Sequence, residues 1–421
     1  MLNVLVNAYA VSPTWGSEPG VGWNWVTHLA RHCRVFVITE GEWREEIEAA
    51  LEQLPQRANL RFYFNPVSPK VRRMCWNQGD WRFYWYYRQW QKRTLRLARD
   101  IIAQHRIDVI HQLNMIGFRE PGYLWTIKDI PFVWGPIGGM ELTPIKFLAG
   151  STFKQSLKFR TKNLINRWQR RYQPRLLAAL DKSSVTLAAT KGVYDVLRKY
   201  HHADVILMNE TGCDVVLPIT RPQRQDDGFF HILWVGRFLL SKQLGLALRV
   251  VAALPERARV RLHVVGKGTE EENATYRQIA QQLGLTENVV WHGSIPHDDV
   301  LNLMSRCQLF LFTSIMEGTP HVILEAVQSN LPIVCFDTCG QAGVVNSKVG
   351  VKIPMTTVSQ GIRDFASTIE RLMVQPECLE TMRNNCYERQ AELSWDGKAR
   401  QMMDVYNRIV IKNEKTHNHG I

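Results

Sequence analysis

At 421 residues, with 45% hydrophobic and 22% charged residues, the chain has enough apolar material to fill the cores of about two to three domains. No apolar run reaches the roughly 18 residues needed to cross a bilayer, and the eight scattered cysteines contain no C-x2-C pair, which leaves no zinc site or disulfide framework and points to a reducing cytoplasm. The formal net charge of +13 calls for a polyanionic partner, whether nucleic acid, anionic lipid headgroups or a phosphorylated substrate.

The start, from Met1 to Ala10, reads as a first strand rather than a secretory leader. It runs into Pro13-Thr-Trp-Gly-Ser-Glu-Pro-Gly-Val-Gly-Trp23, a Gly-rich turn, and then into a helical pattern through Trp25, Val26, Leu29 and Ala30. Glycines there let backbone N–H groups approach a ligand at a helix start, but the spacing is not G-x-G-x-x-G. Strands follow at Val35 to Thr39 and Arg61 to Asn65. Between Trp81 and Ile101 two stripes share one helix: Phe83, Tyr87, Trp90, Thr94, Leu97 and Ile101 predict a core face, and Trp81, Trp85, Arg88, Lys92, Arg96 and Arg99 a basic aromatic one. Basic side chains interleaved with tryptophan suit an interfacial helix or a nucleic-acid surface, or simply a solvated face. Phe153 to Arg175 repeats the theme, so the charge is polarised toward the N-terminal half, which favours anionic lipid over nucleic acid. Strands ending in Ile107-Asp-Val-Ile-His-Gln-Leu-Asn114 and Ile130-Pro-Phe-Val-Trp-Gly-Pro-Ile-Gly-Gly139 put polar residues and glycines where an open α/β sheet holds its ligand. After strands at Ser184 to Ala189 and Val205 to Met208, Arg221 to Gly228 is polar and turn-rich and predicts a linker.

A second α/β half begins with His231 to Val235. That strand ends in Gly236-Arg237-Phe-Leu-Leu-Ser-Lys242-Gln, where two cations can clamp a diphosphate. Strands at Val260 to Val265 and Val289 to His292 follow, each ending in glycine. Phe312-Thr-Ser-Ile-Met-Glu-Gly-Thr-Pro-His-Val-Ile-Leu-Glu-Ala-Val-Gln-Ser-Asn-Leu-Pro-Ile-Val-Cys335 then reads as the tip of a buried strand, a tight loop, a helix and a second buried strand, one βαβ unit. Pro320 suits the first helical turn and directs the backbone N–H groups of Thr319, His321 and Val322 toward an anion. Glu317 and Glu325 add acceptor carboxylates beside it. Phosphates and hydroxyls on one ligand fit that combination, and a nucleotide sugar carries both. Helical patterns from Ile362 to Met373, after Leu379 and from Trp395 close the chain, and the polar residues beyond Lys412 predict a disordered tail.

Glu317, seven residues, then Glu325, flanked by Ser314, Gly318, Pro320 and Ala326 and by apolar strands, resembles the E-x7-E signature of retaining glycosyltransferases of the GT-B fold, family 4. Gly236-Arg237 with Lys242 resembles that family's Gly-Arg to Lys-Gly pattern, Gln243 standing in place of the last glycine. The resemblance implies an α/β protein of two Rossmann-like domains facing across a cleft. Residues 1–220 would bind the acceptor, 229–385 the nucleotide sugar, and the helix at 386–412 would cross back to the first domain. It further implies that Glu317 holds the donor sugar, Glu325 the ribose hydroxyls, and Gly318, Thr319 and His321 the phosphate end. Gly16 and Ser17 would occupy a Gly-Gly loop facing the donor phosphates, and the base would lie near Gly293-Ser-Ile-Pro-His. A histidine in an H-x-H context contacts the donor sugar in relatives; His111 matches the first, but Leu113 replaces the second, and a His that caps its strand fits equally. The chain contains no Asp-x-Asp motif, in line with a reaction that needs no metal and no cofactor beyond a UDP- or GDP-sugar donor. The expected protein is a cytoplasmic hexosyltransferase acting on a saccharide or lipid-linked acceptor in polysaccharide or glycolipid assembly, docked peripherally on the inner face of the membrane through the 81–101 helix and binding no nucleic acid. A nucleotide-sugar epimerase of the same fold and a noncatalytic membrane-docked protein are the alternatives.

Overall fold

The computed structural model describes residues 1–77, 80–115, 117–148, 153–215 and 227–418. They fall into two compact units. Unit 1 holds Met1–Glu141, Ile165–Gly212 and the segment from Trp395 onward; unit 2 holds Leu142–Leu164 and Cys213–Ser394.

Unit 1 is built on seven parallel strands: β1 (Asn3–Asn7), β2 (Arg34–Thr39), β3 (Leu60–Phe64), β4 (Val109–Gln112), β5 (Phe132–Ile137), β6 (Val185–Ala188) and β7 (Val205–Leu207), in the order β3-β2-β1-β4-β5-β6-β7. Both faces of the sheet are covered, which is why β1 reads as continuous Val4-Leu5-Val6 instead of alternating with polar residues. Leu5 enters the core under the Arg82–Gln104 helix, with Phe83, Tyr87 and Trp90, as its apolar stripe predicts. Val4 and Val6 point the other way, into a core closed by Trp25 and Leu29 of the Ser17–Leu29 helix and by Trp395, Met402 and Tyr406 of the last helix.

Unit 2 repeats the plan with β8 (Phe230–Val235), β9 (Val260–Val265), β10 (Val289–Gly293), β11 (Leu309–Phe312), β12 (Ile333–Phe336) and β13 (Gly350–Ile353), all parallel, in the order β10-β9-β8-β11-β12-β13. The order in which strands are added therefore reverses once in each sheet, between β1 and β4 and between β8 and β11. The carboxyl ends of the strands flanking such a reversal diverge into loops and leave a crevice for a ligand.

The units are partitioned differently from the segments expected from sequence. Leu142–Leu164 belongs with unit 2, because Phe147 and Leu148 are buried in its core and Phe147 sits edge-on to Phe336 at 5.3 Å. The Pro376–Leu393 helix also stays on unit 2, with Cys386 and Leu393 in the core, so the chain passes to unit 1 at Trp395, which packs against Trp25. That last helix spans Trp395–Asn418 and so runs through 413–418 of the tail expected to be disordered, whose remaining residues, 419–421, lie outside the described residues. Most of the expected linker, 221–226, lies outside the described residues.

Candidate active site

The candidate site in unit 2 grows from the tips of four neighbouring strands. β8 runs into Gly236, whose N–H donates to Val265 O at 3.0 Å; Gly266, just past β9, donates to Gly293 O of β10 at 2.7 Å. Gly266 has φ +124°, and a Cβ there would stand 2.0 Å from Gly236 O. No side chain fits, so the two strand tips come together backbone to backbone. They frame a cavity of about 590 Å³ lined by Gly236, Arg237, Gly266, Lys267, Gly268 and Ser294. Arg237 and Lys267 are both exposed there and make its rim cationic.

From Arg237 the chain turns through Leu240–Lys242, a single 3₁₀ turn held against β11. Ile315 N–H donates to Ser241 O at 2.9 Å. Thr313, fully buried, accepts from the Trp234 indole at 3.0 Å, and its own hydroxyl is 2.8 Å from Lys242 O. These bonds fix where Lys242 leaves the backbone. Its ammonium forms an ion pair with the Glu317 carboxylate, both side chains being largely buried. Gln243 follows with φ +56°, a left-handed conformation in which glycine is the ordinary residue. The family glycine that Gln243 replaces thus has a conformational reason, and here Gln243 Nε2 offsets the strain by donating to Phe147 O and Leu240 O, each at 2.7 Å.

Glu317-Gly318-Thr319-Pro320 is the loop between β11 and the His321–Gln328 helix. Pro320 is the N-cap, one place earlier than the first-turn position expected, with φ −72° and ψ 124°. Gly318 O accepts from Gly340 N–H at 3.0 Å, and a Cβ on Gly340 would lie 2.0 Å from the same oxygen, so a second glycine contact packs this loop against the one after β12. Gly318 and His321 are exposed and Thr319 is buried. Glu325, on the second turn of the helix, faces His297, whose Nε2 is 3.2 Å from its Oε1. The structure brings Lys242 and Glu317 into contact, opens Arg237 onto the glycine-framed cavity, and gives Glu325 a partner that sequence reasoning did not select. His297 lies in the Gly293-Ser-Ile-Pro-His turn, and its position at a strand's carboxyl end was the available signal.

In unit 1, His111 lies within β4 and has no solvent exposure. Its Nε2 is 2.7 Å from Gly135 O, which can only accept, so Nε2 carries the proton; Nδ1 then accepts from the Tyr406 hydroxyl at 2.6 Å. Burial pushes its pKa down to about 4. Both ring nitrogens are engaged in tying β4 to β5 and to the last helix, which gives His111 a positioning geometry. Gly16 is the N-cap of the Ser17–Leu29 helix without a side-chain cap, and Ser17 takes φ +56°, again where glycine is the ordinary choice. Both are exposed, and Glu18 in the same first turn accepts from Met115 N–H at 2.5 Å. Among the described residues no group of three or more His, Cys, Asp or Glu side chains is placed to hold a metal ion.

Comparison with known proteins agrees with the two-unit α/β fold. Residues 219–389 match the family model Glycosyl transferases group 1. Over 113 residues, 26% of this chain and 29% of the other, the sequence is 31% identical to lipopolysaccharide glucosyltransferase WaaG of Escherichia coli (strain K12). The chain spans less than half the length of the curated relatives it matches. Solved structures share the fold end to end. The lipopolysaccharide outer core galactosyltransferase WaaB, apo form, superposes with TM-score 0.60 at 13% identity, covering 98% of this chain and 99% of that one. Anabaena Alr3699/HepE in complex with UDP superposes with TM-score 0.55 at 13% identity, covering 97% and 100%. The protein thus has the α/β architecture of GT-B glycosyltransferases. The match to the glycosyl transferases group 1 model falls within its second unit.

Proposed function

We propose that the chain is a metal-independent, retaining family 4 glycosyltransferase that moves a hexose from a nucleotide sugar to a saccharide or lipid-linked acceptor in polysaccharide or glycolipid assembly. The observation that carries this reading is the Lys242–Glu317 ion pair at the carboxyl ends of β8 and β11, beside the cavity that Arg237 enters. In the transfer, the bond from the anomeric carbon to the diphosphate oxygen breaks with its electron pair going to the phosphate. A bond to the acceptor oxygen forms on the same face, and the acceptor hydroxyl loses its proton. Charge that grows on the leaving oxygen needs fixed positive groups, and Arg237, Lys242 and the N–H groups at the start of the His321–Gln328 helix supply them. On this reading Glu317 accepts from donor-sugar hydroxyls and Glu325 from the ribose. A UDP-sugar is the donor we favour, since the similar HepE structure holds UDP. A lipid-linked acceptor accords with a peripheral position on an anionic membrane, supported by Trp81, Tyr84 and Trp85, exposed around the first turn of the Arg82–Gln104 helix. None of the described helices is long and apolar enough to cross a membrane.

The test is a thermal-shift and calorimetric panel of UDP-, GDP- and ADP-sugars on the purified chain. We expect one nucleotide class to bind, and Arg237→Ala to weaken it at least about tenfold, the loss of one charge-assisted contact. Unchanged affinity in that variant, or no nucleotide bound at all, would refute the site.

A further inference from the structure

The Phe153–Tyr172 helix is amphipathic in the reverse of the usual sense. Its inward side chains are polar: Asn163 exchanges two bonds with the backbone of Thr143 at 2.8 and 2.9 Å, Asn166 donates to Glu141 O at 2.8 Å, and Arg170 donates to Met140 O at 3.1 Å. All three are buried, with Phe159 the apolar side chain on that side. Its outward stripe is apolar. Phe153, Leu157, Leu164, Trp168 and Tyr172 recur at helical spacing, with Ile165 beside them, and their exposures run from 51% to 83%. A soluble helix places these the other way round.

The stripe is bordered on both sides by cations. Lys154, Lys158 and Lys162 run along one edge and Arg160 and Arg167 along the other, all exposed. The helix contains no acidic residue, and among the described residues none of these five has an acidic partner. An apolar stripe between two cationic rails matches the depth profile of one leaflet edge, acyl chains below and anionic headgroups above. A second copy of the chain would set these like charges against each other. Single-stranded nucleic acid would satisfy the cations, but Leu157, Leu164 and Ile165 offer it no aromatic face to stack on.

We propose that the Phe153–Tyr172 helix is an in-plane anchor that lies along an anionic bilayer surface with its outward stripe among the acyl chains. At 20 residues it would lie along roughly 30 Å of membrane. This differs from docking through the 81–101 helix, whose long apolar stripe is spent on the core of unit 1, and it does not depend on the donor-site reading. Flotation of the full chain with vesicles of phosphatidylcholine alone, or of phosphatidylcholine with phosphatidylglycerol, tests it. Binding is expected only to the second, and it weakens as salt rises. Replacing Leu157, Leu164 and Trp168 together by Gln removes the stripe while keeping helix-forming residues. Replacing Lys154, Lys158 and Arg167 by Ala thins the rails. Each triple change should lower partitioning about a hundredfold without altering the thermal melt of the protein. Vesicles carrying brominated lipid should quench tryptophan emission less in Trp168→Phe than in the parent. The proposal is overturned if the parent chain fails to float with anionic vesicles, if the Gln triple variant floats as well as the parent, or if Trp81→Gln with Trp85→Gln abolishes flotation while the helix variants do not. Binding of single-stranded RNA without vesicle binding overturns it as well. Nucleotide affinity, measured on the same variants, stays at the parent value whether or not the anchor exists, so the two readings fail separately.

Discussion

The Lys242 ammonium and the Glu317 carboxylate are ion-paired across the tips of β8 and β11, although 75 residues separate them in sequence. A cation expected on phosphate and a carboxylate expected on sugar therefore neutralise each other before any ligand arrives. A diphosphate must compete with Glu317 for Lys242. This predicts opposite outcomes for the two partners. Lys242→Met should weaken UDP binding by about tenfold to a hundredfold, because it removes a cation and leaves a largely buried carboxylate near the phosphates. Glu317→Gln should bind UDP as tightly as the parent or up to about tenfold tighter, while losing turnover of the intact donor. Calorimetry with UDP and a transfer assay on both variants separate these effects. Equal weakening of UDP in both would mean the pair acts only as a structural clasp.

On the proposed reading Glu325 and Arg237 serve different ends of the same ligand, and inorganic pyrophosphate would distinguish them. Arg237→Ala should weaken pyrophosphate and UDP alike. Glu325→Ala should weaken UDP about tenfold or more, the loss of a charged hydrogen bond to ribose, and leave pyrophosphate unchanged. His297, 3.2 Å from Glu325, should matter less, with His297→Ala costing a few-fold in UDP affinity through a less constrained carboxylate. Competition binding with the two anions reads all three. A pyrophosphate loss in Glu325→Ala would place that carboxylate at the phosphates.

Gln243 permits a sharper test of the turn that carries Lys242. Its left-handed backbone costs about 1 kcal/mol relative to glycine, and its two buried side-chain bonds return a similar amount. Gln243→Gly should therefore change stability by less than about 1 kcal/mol, whereas Gln243→Ala keeps the strained angle, loses the bonds and should cost about 1–2 kcal/mol. Urea denaturation of both variants, followed by tryptophan emission, provides the comparison. A Gly variant less stable than the Ala variant would show that the left-handed angle carries no strain at this position.

Which parts of this were legible in sequence follows from how local each signal is. The strands could be read because both faces of each sheet are covered, so β1, β8 and β11 carry the apolar runs Val4–Val6, Ile232–Val235 and Leu309–Phe312. Glu317 and Glu325 stood out because one loop and one helix hold both. The Lys242–Glu317 pairing was hidden because it depends on two strands being neighbours in the sheet. Gln243 was visible as a departure from a pattern, but a backbone angle is not written in a residue's polarity. His111 looked like a polar residue at a strand end; Leu113, where a second histidine was expected, was the signal that this strand tip is built differently. For the Phe153–Tyr172 helix the composition showed cations and aromatics, yet which face turns inward was decided by Asn163 and Asn166 finding backbone partners.

Gly266→Ala should be the most damaging small substitution in unit 2. The added Cβ would meet Gly236 O at 2.0 Å, and the φ of +124° is closed to alanine. The β8 and β9 tips would have to separate, moving Arg237 from the cavity it lines. A loss of several kcal/mol in stability, or a folded protein with no measurable nucleotide affinity, is expected. Parent-like UDP binding in Gly266→Ala would show that the tips can part without consequence.

His111 makes unit 1 sensitive to acid. Its folded pKa, near 4, lies below the unfolded value of 6.5, so the unfolded chain takes up the proton first as pH falls. The stabilising contribution is present above pH 6.5 and is lost between there and pH 4, about 3 kcal/mol in all and about 2 kcal/mol of it by pH 5. Protonating Nδ1 would also turn the Tyr406 hydroxyl from donor to acceptor and strand its hydrogen in a dry core. His263 in unit 2, held near 4 by burial and by the neighbouring His231 and His292, titrates in the same window, so the parent's slope is a sum. His111→Asn isolates the unit 1 share. It should be less stable than the parent at pH 7, where the bonds to Gly135 and Tyr406 are lost, and the gap should shrink by about 2 kcal/mol at pH 5. Urea unfolding at both values measures the gap, and one that stays constant would mean that His111 is not held neutral by the fold.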